Sequence, residues 1–243
     1  MSVPTPLTVW PVPGIPEILP GTDLAAVLGQ ALDGTGGHGL AAEDGDVLVV
    51  TQKIVSKAEG RLVPIDDSDP EAKARLVTAE SRRVLRRRAD VLITETRHGF
   101  VCANSGVDLS NVERGTAALL PVDPDRSARR IRDGLRHRFG LELAVIVSDT
   151  FGRPWRQGVT DVAIGCAGIS AVVDLRGTTD ATGRELVATQ VCVADEVAAA
   201  AELVMGKDRR LPAAIVRGVD PSWLRPGSVQ KEVVRPPAED LFR

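Results

Sequence analysis

Mixed, largely antiparallel sheets carrying helices are what this sequence predicts, on three observations. Short apolar runs of strand character recur, among them DVLVVT at residues 46–51 and LAVIVS at 143–148. Between them lie segments with apolar residues at helical spacing. Several strand-like runs are separated by no more than a tight turn. Such spacing suits antiparallel neighbours and argues against a purely parallel, doubly wound sheet.

Each element follows from local chemistry. Residues 22–32 read as a helix with Thr22 as cap and Leu24, Val27, Leu28 and Leu32 on one face. The turn Asp44-Gly45 precedes a strand at 46–51. Residues 68–88 read as one long helix, opened by Asp69-Pro70 and lined by Leu76, Val77, Val84 and Leu85. Strands at 90–95 and 100–103 are joined by a turn at His98-Gly99. Asp123-Pro124 starts a helix with the stripe Ala128, Ile131, Leu135 and Phe139, and Gly140 ends it. A strand at 143–148 stops at Asp149-Thr150. Strands at 161–165 and 171–174 flank a tight Gly165-Cys166-Ala167-Gly168 step. The alternation of 185–193 reads as a strand. Asp195 caps a helix running through Met205, with Gly206 past its end, and 213–216 is a last strand.

At 243 residues the chain suits one large domain or two small ones. The boundary expected is a body at 1–220 and a polar, proline-rich tail at 221–243 that reads as a linker. There is no Tyr and only four Phe and three Trp, so the core rests on Val, Leu, Ile and Ala. A net charge of −3 gives no field that would draw the chain to nucleic acid or membrane. No apolar run approaches the ~20 residues of a membrane helix. The start, MSVPTPLTVWPVPGIP, lacks a basic, signal-like pattern. Cys102, Cys166 and Cys192 form no CxxC pair, so a cytoplasmic protein with reduced thiols is expected.

Five places could carry chemistry. In VIVSDTFGRPWRQG (145–158), Asp149 and Thr150 offer a carboxylate and a hydroxyl to a hard divalent cation. Arg153 and Arg156 can grip phosphate or carboxylate oxygens. Asp-Thr also caps helices and makes turns. In VTQKIVSKAEG (50–60), Gln52, Lys53, Ser56 and Lys57 follow a strand. The lysines suit phosphates, the spacing is not that of a P-loop, and a solvated junction is the alternative. NSGVDLSN (104–111) is a polar loop in which Asp108 could join Asp149 around a cation, or simply a turn. Asp161 reads more readily as a cap, and Met205-Gly206-Lys207-Asp208 as an ordinary helix stop. The arginine runs at 82–88 and 126–138 read as solvated helix faces. His98 reads as a turn residue, and His38 sits in a glycine-rich loop with no second histidine at ligand spacing.

GIPEI, DGDVLVVTQKIVSKAEGRLV, SGVDLSNV, LLPVDPDRSA, VIVSDTFGRPWRQG, ADEVAAAAELVMGK and AAIVRG occur in that order. Together they resemble the coenzyme F-420-0:L-glutamate ligase family over roughly residues 9–219. The resemblance implies an α+β, two-lobed fold and an intertwined homodimer. It implies a GTP- and Mg- or Mn-dependent enzyme, with a monovalent cation as a further cofactor. Such an enzyme activates the lactyl carboxylate of F-420-0 as an acyl phosphate and joins it to L-glutamate, releasing GDP and phosphate. Later rounds add γ-linked glutamates. By motif, Ile15, Pro16, Glu17, Ile18, Gln52, Lys53, Lys57, Asn111 and Gly206 fall where the family holds GTP. Asp108, Asp149 and Thr150 fall where it holds metal, and Asp108, Asp149, Arg153 and Arg156 are the catalytic candidates. Where members carry a glutamate that helps hold a second metal, this chain has Lys207 followed by Asp208. Either Asp208 substitutes or that metal is held differently. PPAEDLFR resembles the junction to a flavin-binding, nitroreductase-like domain, fused or separate. Two other readings compete: a metal-dependent phosphohydrolase or phosphotransferase built on Asp108 and Asp149, and a nucleotide-binding module without turnover.

Overall fold

The computed structural model describes residues 6–33 and 40–241; His38 lies outside them. In chain order the first half comprises β1 (Thr8–Pro11), α1 (Leu24–Ala31), β2 (Val47–Thr51), α2 (Gln52–Ala58), β3 (Leu62–Pro64), α3 (Ala72–Glu80), β4 (Ser81–Arg88), β5 (Val91–Thr96), β6 (Val101–Ala103) and β7 (Thr116–Ala118). The second half comprises α4 (Pro124–Phe139), β8 (Ala144–Arg153), β9 (Arg156–Ala167), β10 (Val173–Asp174), β11 (Gln190–Val191), α5 (Val193–Met205), β12 (Ala213–Arg217) and α6 (Val229–Glu232).

The central sheet has the order β1-β12-β2-β8-β9. Only β2 and β8 run parallel; the other neighbours are antiparallel. This is an α+β fold with mixed, mostly antiparallel sheets. Val47, Leu48, Val49 and Val50 are wholly buried, as are Val145, Ile146 and Val147. Continuous burial along a strand means that both faces are covered. Helix α4 packs on β8 and β9 with α1 against it, and α5 packs on β9, β12 and β1. A smaller cluster of Val77, Leu92, Val107, Ala117 and Leu119 lies under α3, the β4-β5-β6 sheet and the β3-β7 pair.

Helix α4 begins and ends as its sequence predicts. Asp123 accepts a hydrogen bond from the Arg126 amide at 2.9 Å, and Gly140 takes the left-handed conformation at φ 69°. Its first turn is locked onto β9: a Cβ on Gly165 would sit 2.3 Å from the Pro124 carbonyl carbon. Asp125, 4% exposed, accepts bonds from the amides of Cys166, Val229 and Gln230 and from the Ser228 hydroxyl. Glu232 accepts from the amides of Ala171 and Val172. Residues 228–232 are thereby fastened to the body, with Val229 fully buried.

Six local expectations are corrected. The cap of α1 is Asp23, which accepts from the Ala26 amide, while Thr22 accepts from Leu19. The long helix at 68–88 stops at Glu80, and the arginine-rich half is strand β4. Pairing with β5 outweighs helix propensity there, and Arg82 and Arg83 both bind the Glu95 carboxylate. The strand through Asp149 runs on to Arg153, so Asp149 and Thr150 lie within a long hairpin, not at a tip. Gly165, Cys166 and Ala167 continue β9, and the chain turns at Gly168, φ 78°. Of 185–193 only Gln190 and Val191 are strand. Helix α5 starts at Val193; Asp195 sits in its first turn and accepts from the Ala163 amide instead of capping. Strand β1, flanked by prolines, was not anticipated.

Candidate active site

A cavity of about 780 Å³ opens where β2 hands over to α2, beside the middle of the β8–β9 hairpin and the end of α5. Its wall includes Ile15, Pro16, Glu17 and Ile18 from the segment after β1. Gln52, Lys53 and Lys57 come from α2, and Asp108, Ser110 and Asn111 from the loop before β7. The hairpin adds Ser148, Asp149, Thr150 and Asp161, and Glu202, Gly206, Lys207 and Arg210 close the ring. Every expected site residue except Arg153 and Arg156 therefore lines one cavity. Those two form the last pair of the hairpin, exposed and outside the lining. Asp208 is also absent from the lining.

Helix α2 explains the lysines. Lys53 and Lys57 stand four residues apart, on one face. Neither is idle: Lys53 binds the Asp108 carboxylate and donates to the Ser110 carbonyl at 2.7 Å, and Lys57 binds Glu17. Gln52, 2% exposed, is tied down by its own amide, which donates to Ser56 Oγ and to the Leu119 carbonyl at 3.1 Å. Ser56 in turn donates to the same carbonyl at 2.6 Å.

The Asp108 loop is set by an uncommon backbone. Asn104, Ser105 and Gly106 are consecutively left-handed, at φ 54°, 52° and 69°. Side chains hold them there. Asn104 Oδ1 accepts from the Leu92 amide, and Ser105 Oγ bonds with Ser81 and Thr94 hydroxyls at 2.6 and 2.8 Å. Asp108 then pairs with Ala118 through both backbone groups. Burial raises the Asp108 pKa, but Lys53 and the Ser110 amide and hydroxyl outweigh it, leaving the carboxyl below its ordinary value.

Asp149 is the opposite case. Burial, then the charges of Asp161 and Asp108, push its carboxyl up to about 7 against the bond from the Thr150 amide. Asp161, 2% exposed, accepts from the Ser148 hydroxyl at 2.8 Å and the Thr150 hydroxyl at 2.6 Å. Each hydroxyl thus turns its lone pairs away from Asp161. Glu202 is raised by burial and by Asp161. Among the described residues, six carboxylates and four cationic side chains line the cavity. A surplus of buried acid raising its own pKa is the condition that a bound cation relieves. No three His, Cys, Asp or Glu side chains among the described residues form a complete cage. Hard cations held by one or two carboxylates plus phosphate oxygens need none. Asp108, Asp149 and Thr150 fit that donor set. Burial pushes the Cys102, Cys166 and Cys192 thiols up to about 12, so none is a nucleophile near neutrality.

Asp161, which local sequence reads as a cap, belongs to the cavity wall. The signal that identifies it is the hairpin register, which sets it opposite Thr150. Glu202 was missed because its helix reads as plain amphipathic sequence.

A family model described as F420-0:gamma-glutamyl ligase matches residues 14–218. The coenzyme F420:L-glutamate ligase of Methanothermobacter thermautotrophicus is 44% identical, over 96% of this chain and 97% of that protein. The proteins of the same name from Methanopyrus kandleri and Archaeoglobus fulgidus are 41% and 39% identical. Those alignments cover 98% of both chains for the first, and 97% of this chain and 96% of the other for the second. No described helix is long and apolar enough to cross a membrane. The chain belongs to the F420-0:gamma-glutamyl ligase family.

Proposed function

We propose that this protein joins L-glutamate to the lactyl carboxylate of F420-0, and then to the γ-carboxylate of the glutamate just added, with GTP as the phosphoryl donor. The observation that carries the reading is convergence: residues scattered from Ile15 to Gly206, matched by motif to one family, meet at one cavity.

The chemistry demands such a place. A carboxylate accepts an amine only after one of its oxygens becomes part of a leaving group. In the first step a carboxylate oxygen bonds to the γ-phosphorus of GTP as the bond to the β,γ-bridging oxygen breaks, giving an acyl phosphate and GDP. In the second the amine nitrogen attacks the acyl carbon, phosphate leaves, and the nitrogen gives up a proton. Both steps bring anions together, so positioning and charge do most of the catalysis. Lys53 and Lys57 would grip phosphate oxygens by exchanging their carboxylate partners for them. Ile15 to Ile18 and Asn111 would frame the nucleoside and sugar. Asp108, Asp149 and Thr150 would hold Mg or Mn, and such an ion supplies charge neutralisation at the transferring phosphoryl group. Asp161 would keep the Thr150 oxygen aimed. Arg153 and Arg156 lie outside the cavity lining, at the exposed end of the β8–β9 hairpin.

The test is purified protein with F420-0, L-glutamate, GTP and Mg or Mn, read by mass spectrometry with each component omitted in turn. Mass increments of one glutamyl residue, dependent on every component, are expected. GTP cleavage without glutamylated product would replace the ligase by a phosphohydrolase, and nucleotide binding without turnover would leave a binding module.

A further inference from the structure

Helix α5 carries one residue against its own pattern. Ala194, Ala198, Ala201 and Met205 are buried on the side of the helix that packs against the sheet. Glu202 stands on that side too, four residues after Ala198 and three before Met205. Leu203, beside it, is 79% exposed. The last turn therefore has its polarity exchanged: the leucine is in water, and the glutamate is half-buried in the cavity wall. Packing alone favours the reverse, since a glutamate is seldom taken out of water without a partner. The rotation of the helix is fixed by Asp195, two turns earlier on the same side, which accepts from the Ala163 amide of β9 at 2.9 Å.

Glu202 has no partner, unlike the other carboxylates inside the cavity. Asp108 and Glu17 bind Lys53 and Lys57. Asp161 accepts from two hydroxyls and Asp149 from the Thr150 amide. Glu113 is exposed at the rim. Among the described residues no ion pair and no hydrogen bond reaches the Glu202 carboxylate. Burial, then the charge of Asp161 on β9, holds its pKa above the ordinary value; Lys207, just past the helix, opposes them without pairing. Asp149 and Arg210 are further charges on the same wall.

The ligation needs a group of this kind. L-Glutamate arrives with its amine protonated, and an ammonium has no lone pair with which to attack. The residues matched to nucleotide and metal leave that proton without an acceptor. We propose that Glu202 receives the α-ammonium of the incoming L-glutamate and takes the proton that frees it to attack. The proposal rests on the ligase reading and adds the general base of its second step. One proton passes from nitrogen to the Glu202 carboxylate. The nitrogen lone pair then bonds to the acyl carbon as the bond from that carbon to the phosphate oxygen breaks, and a second proton leaves nitrogen with the departing phosphate. A carboxyl held above its ordinary value is the stronger base for this task.

The experiment compares full-length wild type with Glu202→Gln, given GTP, Mn, F420-0 and one of two nucleophiles. One is L-glutamate; the other is hydroxylamine, which is largely unprotonated at neutral pH and needs no base. Products are read by mass spectrometry. We expect kcat/KM for L-glutamate to fall at least about 100-fold in Glu202→Gln, the lower range for loss of a general base. The hydroxamate of F420-0 should form at the wild-type rate, which also shows that the variant is folded, and Mn and GTP affinities should not move. Wild-type kinetics with L-glutamate overturns the proposal. An equal loss with both nucleophiles, or weaker Mn binding, also overturns it, because Glu202 then serves the phosphoryl step or the cation. Wild type that yields neither glutamylated product nor hydroxamate overturns the ligase reading itself.

Discussion

Burial and the neighbouring carboxylates push Asp149 up to about 7, so a cation-free folded molecule holds a proton there that the unfolded chain has already released. A carboxyl raised in the folded state loses its contribution to stability as pH climbs from its unfolded value, near 4, through about 7. Asp149→Asn should therefore stabilise the cation-free protein at pH 8, on the order of 2 kcal/mol after discounting for water in the cavity mouth, and do little at pH 4. Urea titrations at the two pH values check it; equal effects at both would mean that Asp149 is not the strained group. The same variant should lose ligation. Asp161→Asn preserves shape but replaces one of two acceptor oxygens by a donor, so Ser148 or Thr150 loses its partner. Mn affinity should fall about 10–100-fold, the usual cost of disturbing an outer-shell partner, with the circular dichroism spectrum unchanged. Lys57→Ala should weaken GTP binding in calorimetry; unchanged affinity would remove Lys57 from the nucleotide site. At this scale the sequence was informative, because Asp-Thr after an apolar run and lysines after a strand are chemical signatures. Asp161 was obscured because its meaning depends on the partner strand, which local sequence does not specify.

Among elements, the contact between α4 and β9 is the least forgiving. Gly165→Ala places a methyl 2.3 Å from backbone that cannot swing aside, since Asp125 beside it is bonded on four sides. A loss of about 3 kcal/mol is expected from such overpacking, read as a lower urea midpoint with an unchanged slope. Helix α4 itself was legible because its cap, stripe and terminal glycine agree. The segment at 68–88 was not. Apolar residues at 76, 77, 84 and 85 mimic a helical stripe, yet Val84 is 43% exposed and only the first half packs as a helix. The second half is claimed by β5, whose buried Glu95 collects two arginines. Long-range pairing of that kind leaves no mark in a local window.

For the molecule as a whole, residues 228–232 act as a clasp over α4 and β9. Deleting residues 227–243 would strip Asp125 of three of its four donors and take the buried Val229 out of the core. A fall of about 10 °C in Tm is expected, taking roughly 3 kcal/mol for a carboxylate deprived of its donors in a chain of this size; calorimetry of the shortened protein checks it. Strand order was beyond the sequence for a related reason: composition reveals strands but not which ones meet. Strand β12, made from residues 213–217, lies between β1 and β2, which come from the first quarter of the chain. On the ribosome β1 and β2 must therefore wait, each with an edge unpaired, until residues 213–217 have emerged. Pairings so distant in sequence close slowly. The nascent chain thus passes through a long aggregation-prone interval in which holding chaperones would raise the yield of soluble protein more than any change to the finished fold.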